Sequence, residues 1–118
     1  MKSRDQAWRE AGGLCCYCGC LTHNPDRERG KEFCERLGVI PHSRGSKKLR
    51  CYMTATREHL IRKVEGGSDA AGNLALACHY CNSVRQNATV EDHRYEMLAL
   101  VAAGLHPCHR PPKIAEAA

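Results

Sequence analysis

Large aromatic side chains are scarce in this sequence: Phe, Trp and Tyr together make up 5% of it, with one Trp and one Phe. A chain of 118 residues has room for one domain, and here the apolar material for its core is thin. Also missing is any apolar run near the roughly 18 residues of a membrane span, so no membrane partner is expected. No apolar segment follows Met1-Lys2 that could act as a secretory leader. A cytoplasmic, reducing location is therefore expected. Internal repeats and low-complexity tracts are absent too. What the chain does have is nine cysteines. In a reducing compartment these read first as metal ligands, and an odd count leaves at least one thiol unpaired within the chain. A metal staple would compensate for the thin core.

The net charge of +5 is unevenly placed. Residues 1–50 hold eleven Lys/Arg against six Asp/Glu, and residues 51–118 hold seven of each. The excess is sharpest in Ser43-Arg44-Gly45-Ser46-Lys47-Lys48-Leu49-Arg50, which has no acid. Read as a basic loop, this stretch suits a phosphate backbone through Arg44, Lys47, Lys48 and Arg50. A merely solvated loop would look the same by charge pattern alone.

Along the chain, Asp5 to Ala11 reads as a short helix capped by Ser3, anchored by Trp8 and stopped by Gly12-Gly13. Asn24-Pro25-Asp26 signals a turn that starts a helix at Asp26, running through Arg36 and ended by Gly38, with Cys34 as a small core residue. Pro41 to Arg50 reads as loop. The β-rich run Cys51 to Thr56 leads into Glu58-His59, and Asn73 to Ala77 forms a second strand. A helix runs from Cys78 to about Gln86. Thr89 caps another, over 90–103, whose apolar stripe (Val90, Met97, Leu98, Val101, Leu105) suits the core or a dimer face equally. His93 is expected on its exposed side. Residues 106–118, with three prolines, read as a flexible tail, where Cys108, His106 and His109 could form part of a second metal site.

The strongest spacing signal is a pair of Cys-x-x-Cys knuckles. Cys15-x-x-Cys18 and Cys78-x-x-Cys81 predict one structural zinc with four thiolates about 2.3 Å from the ion. Cys16 and Cys20 lie close enough to compete for the first knuckle's register. A closed four-thiolate site keeps no open position, so any catalytic ion must bind elsewhere.

The remaining constellation is Glu58-His59, then Gly66-Gly67, Asn73-Leu74, and Asn82 directly after the second knuckle. In this order and spacing the residues resemble the ββα-metal (His-Me finger) fold of HNH endonucleases, in the zinc-ribbon subgroup. The resemblance covers about residues 15–20 and 52–87. It implies a small α+β protein: a ββα-metal core at 52–87, a structural four-cysteine zinc site and flanking helices. The single nuclease domain would span 1–105, with residues 21–50 as an insertion.

Residue by residue, the resemblance makes His59 the general base, since a neutral imidazole can take a proton from water. Its other ring nitrogen needs an acceptor, expected to be a backbone carbonyl of the following loop. Glu58 and Asn82 match the ligands of a catalytic Mg²⁺ or Mn²⁺, although most members carry Asp or His where Glu58 stands. One carboxylate and one amide leave an octahedral ion open to water and phosphate. Asn73 matches the asparagine that holds the loop. Arg85, one turn after Asn82, is expected to contact phosphate, with Arg57 and Gln86 weaker candidates for backbone contacts. His79 reads as structural or DNA-facing. The implied activity is metal-dependent hydrolysis of DNA phosphodiester bonds, by nicking or double-strand cutting. Rival readings are a non-catalytic zinc-ribbon module binding nucleic acid or protein, and a nuclease active only beside a larger phage-packaging or repair partner. A homodimer is one way to cut both strands.

Overall fold

The computed structural model describes residues 1–109. Helix α1 (Arg4–Glu10) begins at Ser3, whose Oγ accepts from Gln6 N. After it the chain folds into the first knuckle, closed by an antiparallel bridge between Leu14 and Leu21. A turn at residues 25–27 follows, tied back to α1 by Arg27 on Asp5 (2.7 Å) and Arg4 on Asp26 (3.1 Å). Helix α2 (Gly30–Leu37) therefore starts four residues later than the turn signal suggested. Its start is set by Glu32, whose carboxylate accepts from the backbone N–H of Arg29 (3.0 Å). Gly38, at φ 75°, ends it in the left-handed conformation that favours glycine.

Helix α3 (Ser46–Tyr52) takes the second half of the loop expected over Pro41 to Arg50 and the first residues of the β-rich run expected from Cys51, while 41–45 stay non-helical. Its buried residues, Ser46 and Leu49, turn inward, and Lys47 and Lys48 face out. The basic stretch is thus mainly one face of a helix. Strand β1 (Ala55–His59) pairs antiparallel with β2 (Leu74–Cys78), with Ala55 opposite Cys78 and His59 opposite Leu74. Helix α4 (His79–Val84) follows β2 without a loop and packs on both strands. This ββα order is the core the spacing predicted. Helix α5 (Val90–Ala102) is capped by Thr89, whose hydroxyl accepts from Asp92 N.

The main core cluster gathers around the knuckles, and seven of its fourteen buried residues are cysteines. A smaller cluster of Ala7, Ala55 and Leu76 lies under Trp8. On α5 the buried residues are Met97 and, against expectation, His93, which is 1% exposed. The His93 ring meets Tyr17 edge-on at 4.6 Å and its Nε2 pairs with Cys81 O at 2.7 Å. Leu98 and Leu105, placed on the apolar stripe by periodicity, are about half exposed. The chain then returns to the core: His106 and Cys108 are buried, so residues 106–109 are not the start of a loose tail. The rest of that expected tail, 110–118, lies outside the described residues. No described helix is long and apolar enough to cross a membrane.

Candidate metal centre and active site

The Sγ atoms of Cys15, Cys18, Cys78 and Cys81 lie within 4.8 Å of one another, all buried. Backbone N–H groups are aimed at two of them: Tyr17 N donates to Cys15 Sγ and Cys81 N to Cys78 Sγ, both at 3.4 Å. Donors on sulfur stabilise the thiolate that a metal requires. Cys16 is outside this group, and burial pushes its thiol up to about 12. Cys20 is buried nearby but outside the group of four. The donor set therefore fits one soft, tetrahedral ion.

Beyond the knuckles, β1 and α4 carry the catalytic candidates. His59 ends β1, and its Nε2 lies 2.8 Å from Asp69 Oδ1. The acceptor is a carboxylate rather than the backbone carbonyl expected. Asp69 is also bound by Lys63 Nζ (3.1 Å), and first His59, then Lys63, hold its carboxyl below the usual range. Asn73 bridges the loop between the strands. Its Oδ1 accepts from Ile61 N (2.8 Å), and its Nδ2 donates to Ile61 O (3.0 Å) and Ser68 O (2.8 Å). Gly67 makes this closure feasible, because a Cβ there would sit 1.8 Å from Ile61 O.

Glu58 is buried, at 5% exposure, and burial raises its carboxyl pKa. Its Oε2 lies 3.6 Å from Arg85 Nη1 and has no hydrogen-bond partner. A buried carboxylate oxygen that has Arg85 as a charge neighbour but accepts no hydrogen bond keeps its lone pairs free for a cation. Asn82 donates Nδ2 to Thr56 Oγ1 (3.0 Å), which orients the amide and leaves Oδ1 for ligation. Carboxylate and amide oxygens are hard donors of the kind that Mg²⁺ or Mn²⁺ takes.

Arg85 corrects another expectation. It is 6% exposed, and its guanidinium donates to His59 O (2.6 Å), Leu60 O (2.8 Å) and Ala88 O (2.9 Å). Committed to three carbonyls, it holds the end of β1 instead of reaching phosphate. Arg57 is exposed and donates to Lys2 O, while Arg44 is exposed ahead of α3. Arg50 is half-buried with its side chain against Gly30. His79 is exposed at the start of α4.

A two-stranded sheet, a short helix and a buried cysteine cluster define a small α+β protein of the ββα-metal type. Residues 42–87 match the family model described as HNH endonuclease. No curated protein and no solved structure matches the chain.

The residues missed by sequence reasoning are Asp69, Lys63, Tyr17 and His93. Asp69 sits ten positions beyond His59, and only closure of the loop brings it near. Lys63 joins it through the same closure. The remaining two come from the knuckle and from α5, and nothing in their local spacing marked them.

Proposed function

We propose that the chain is a metal-dependent endonuclease that hydrolyses DNA phosphodiester bonds. The observation that carries this reading is the His59–Asp69 pair at the end of β1, immediately after Glu58 and beside the helix bearing Asn82. An ionised Asp69 accepts the Nε2 proton of His59, which makes Nδ1 the atom that takes a proton from the attacking water. Asn73 and Arg85 position this base, one by latching the loop and the other by gripping the carbonyls of His59 and Leu60. Glu58 and Asn82 would hold the Mg²⁺ or Mn²⁺, whose charge, when bound, offsets the charge developing on the phosphate and the leaving 3′ oxygen. The thiolates of Cys15, Cys18, Cys78 and Cys81 would hold a structural zinc. Arg44, Lys47, Lys48, Arg50 and Arg57 would follow the DNA backbone. Nothing dedicated to base readout is evident among the described residues, so weak sequence preference is expected.

The test is conversion of supercoiled plasmid to nicked and linear forms in Mg²⁺ or Mn²⁺, wild type against His59→Ala. Loss of the base should slow cleavage by about 10²–10⁴-fold. One active site cuts one strand, so a monomer should give mostly nicked product. Equal cleavage by both proteins would sink the assignment of His59. No cleavage by either would favour a binding module or a nuclease that needs a partner.

A further inference from the structure

Two buried cysteines, Cys20 and Cys108, are not among the four thiols of the knuckle site, yet both lie against it. Cys20, Cys78 and Cys108 form a second group with ligand atoms within 4.8 Å of one another, and Cys18, Cys20 and His109 form a third. Cys18 and Cys78 are thus common to the knuckle site and to these neighbours, and Cys20 joins both neighbours. We infer that the chain holds a second soft divalent ion, zinc, on Cys20, Cys108 and His109, with the Cys78 thiolate bridging it to the first. This goes beyond the proposed nuclease activity and rests only on the reading of the knuckles as a zinc site.

The distances fit. Four sulfurs at about 2.3 Å from one ion stand about 3.8 Å apart along each edge of the tetrahedron. Cys108 Sγ lies 3.8 Å from Cys78 Sγ, an edge of the second site, and Cys18 Sγ lies 4.0 Å from Cys78 Sγ, an edge of the first. His106 has a different role. Its Nδ1 accepts from Cys108 N (3.1 Å), so Nε2 carries the proton and donates to Cys81 Sγ at 3.3 Å. That bond places His106 outside the coordination sphere, as a donor to a ligating thiolate. It also sets the backbone of Cys108 against the cluster. His109, exposed at the rim with a ring nitrogen within 4.8 Å of the Cys18 and Cys20 sulfurs, is free of that constraint and is the candidate for the fourth position.

The donor chemistry selects the ion. Three thiolates and an imidazole are too soft for Mg²⁺ or Ca²⁺ and suit zinc. A [4Fe–4S] cluster would place each thiolate on a separate iron, spreading the sulfurs beyond the 3.8 and 4.0 Å seen here, and a [2Fe–2S] cluster or a single iron would absorb in the visible. The second ion would clamp the segment after α5 onto the first knuckle.

The test is native mass spectrometry with elemental analysis on the full chain, purified reduced and zinc-replete. Two zinc ions per chain are expected, with no visible absorption. Cys20→Ser and Cys108→Ser should each hold one. His109→Ala changes an exposed side chain and should fold. It should release its second ion to a weak chelator at least about tenfold faster than the wild type. Release at the wild-type rate would remove His109 from the site. A single zinc in the wild type would overturn the second site and leave the knuckle site standing, while none would overturn both. A denatured chain two thiols short of nine, as a Cys20–Cys108 disulfide would leave it, would also overturn the proposal.

Discussion

Asp69 does for His59 what no backbone carbonyl could. It supplies a negative charge at 2.8 Å and an acceptor for the Nε2 proton, and in the proposed reaction it would stabilise the imidazolium formed when His59 takes a proton from water. Asp69→Asn keeps the shape but removes the charge. Cleavage should then fall on the order of 10²-fold or more, while the protein still folds cooperatively and binds DNA. A rate within a few-fold of the wild type would reduce Asp69 to a loop residue. The pH dependence follows from the same pairing. The folded-state pKa of Asp69 is depressed by His59 and Lys63, so its contribution to the loop is present above the unfolded value, near ~3.9, and lost as pH falls through the lowered one. The latch should therefore survive from pH 8 to about 4 in NMR spectra of residues 60–70; loosening near pH 6 would contradict it. The family resemblance pointed to His59, Asn73 and Asn82 because they stand in one order ahead of and just after the second knuckle. It could not find Asp69, because its role exists only once the loop has closed over Gly67.

At the scale of elements, short amphipathic pieces were hardest to read. Helix α3 has no side-chain cap, since Gly45 stands at its N-cap position, and its seven residues barely repeat one helical period. Cys51-Tyr52-Met53 resembles strand composition, yet these residues finish the helix and its cap, and only then does β1 begin. Helix α5 was legible at its start because Thr89 caps it, but His93 breaks the apolar stripe by being buried as a polar residue. The helical form of the basic stretch matters for binding. Lys47 and Lys48 project from a rigid element, with Lys48 Nζ 5.7 Å over the Tyr52 ring. Neutralising Lys47, Lys48 and Arg50 should weaken DNA binding and reduce the slope of log affinity against log salt. On duplex DNA the slope should fall by roughly 0.9 for each phosphate that the variant no longer neutralises. An unchanged slope would make this helix face solvated surface, with the DNA on other residues.

The whole molecule is built around its cysteines to an unusual degree. Half of the main core cluster is cysteine, and Phe33, Val39, Leu49, Met53 and Met97 are the only large aliphatic, thioether or Phe side chains among those buried residues. Thiols packed this closely make a poor core without an ion, because removing it leaves polarised sulfurs facing one another in a dry interior. Structural zinc contributes roughly 10–16 kcal/mol of apparent folding free energy in small zinc peptides, as much as the total stability of about 5–15 kcal/mol of an ordinary domain. Stripping the metal should therefore unfold the chain, not merely inactivate it. The two proposed metal roles can then be separated by reversal. A chelator for Mg²⁺ that leaves zinc in place should stop cleavage while near-UV circular dichroism stays native, and adding Mg²⁺ back should restore the rate. A strong zinc chelator should abolish the near-UV signal and the cooperative melt, and Mg²⁺ alone should restore neither. Refolding with zinc before Mg²⁺ should recover both. If the stripped chain still melts cooperatively, the aliphatic core carries the fold by itself and the cysteines are not its staple.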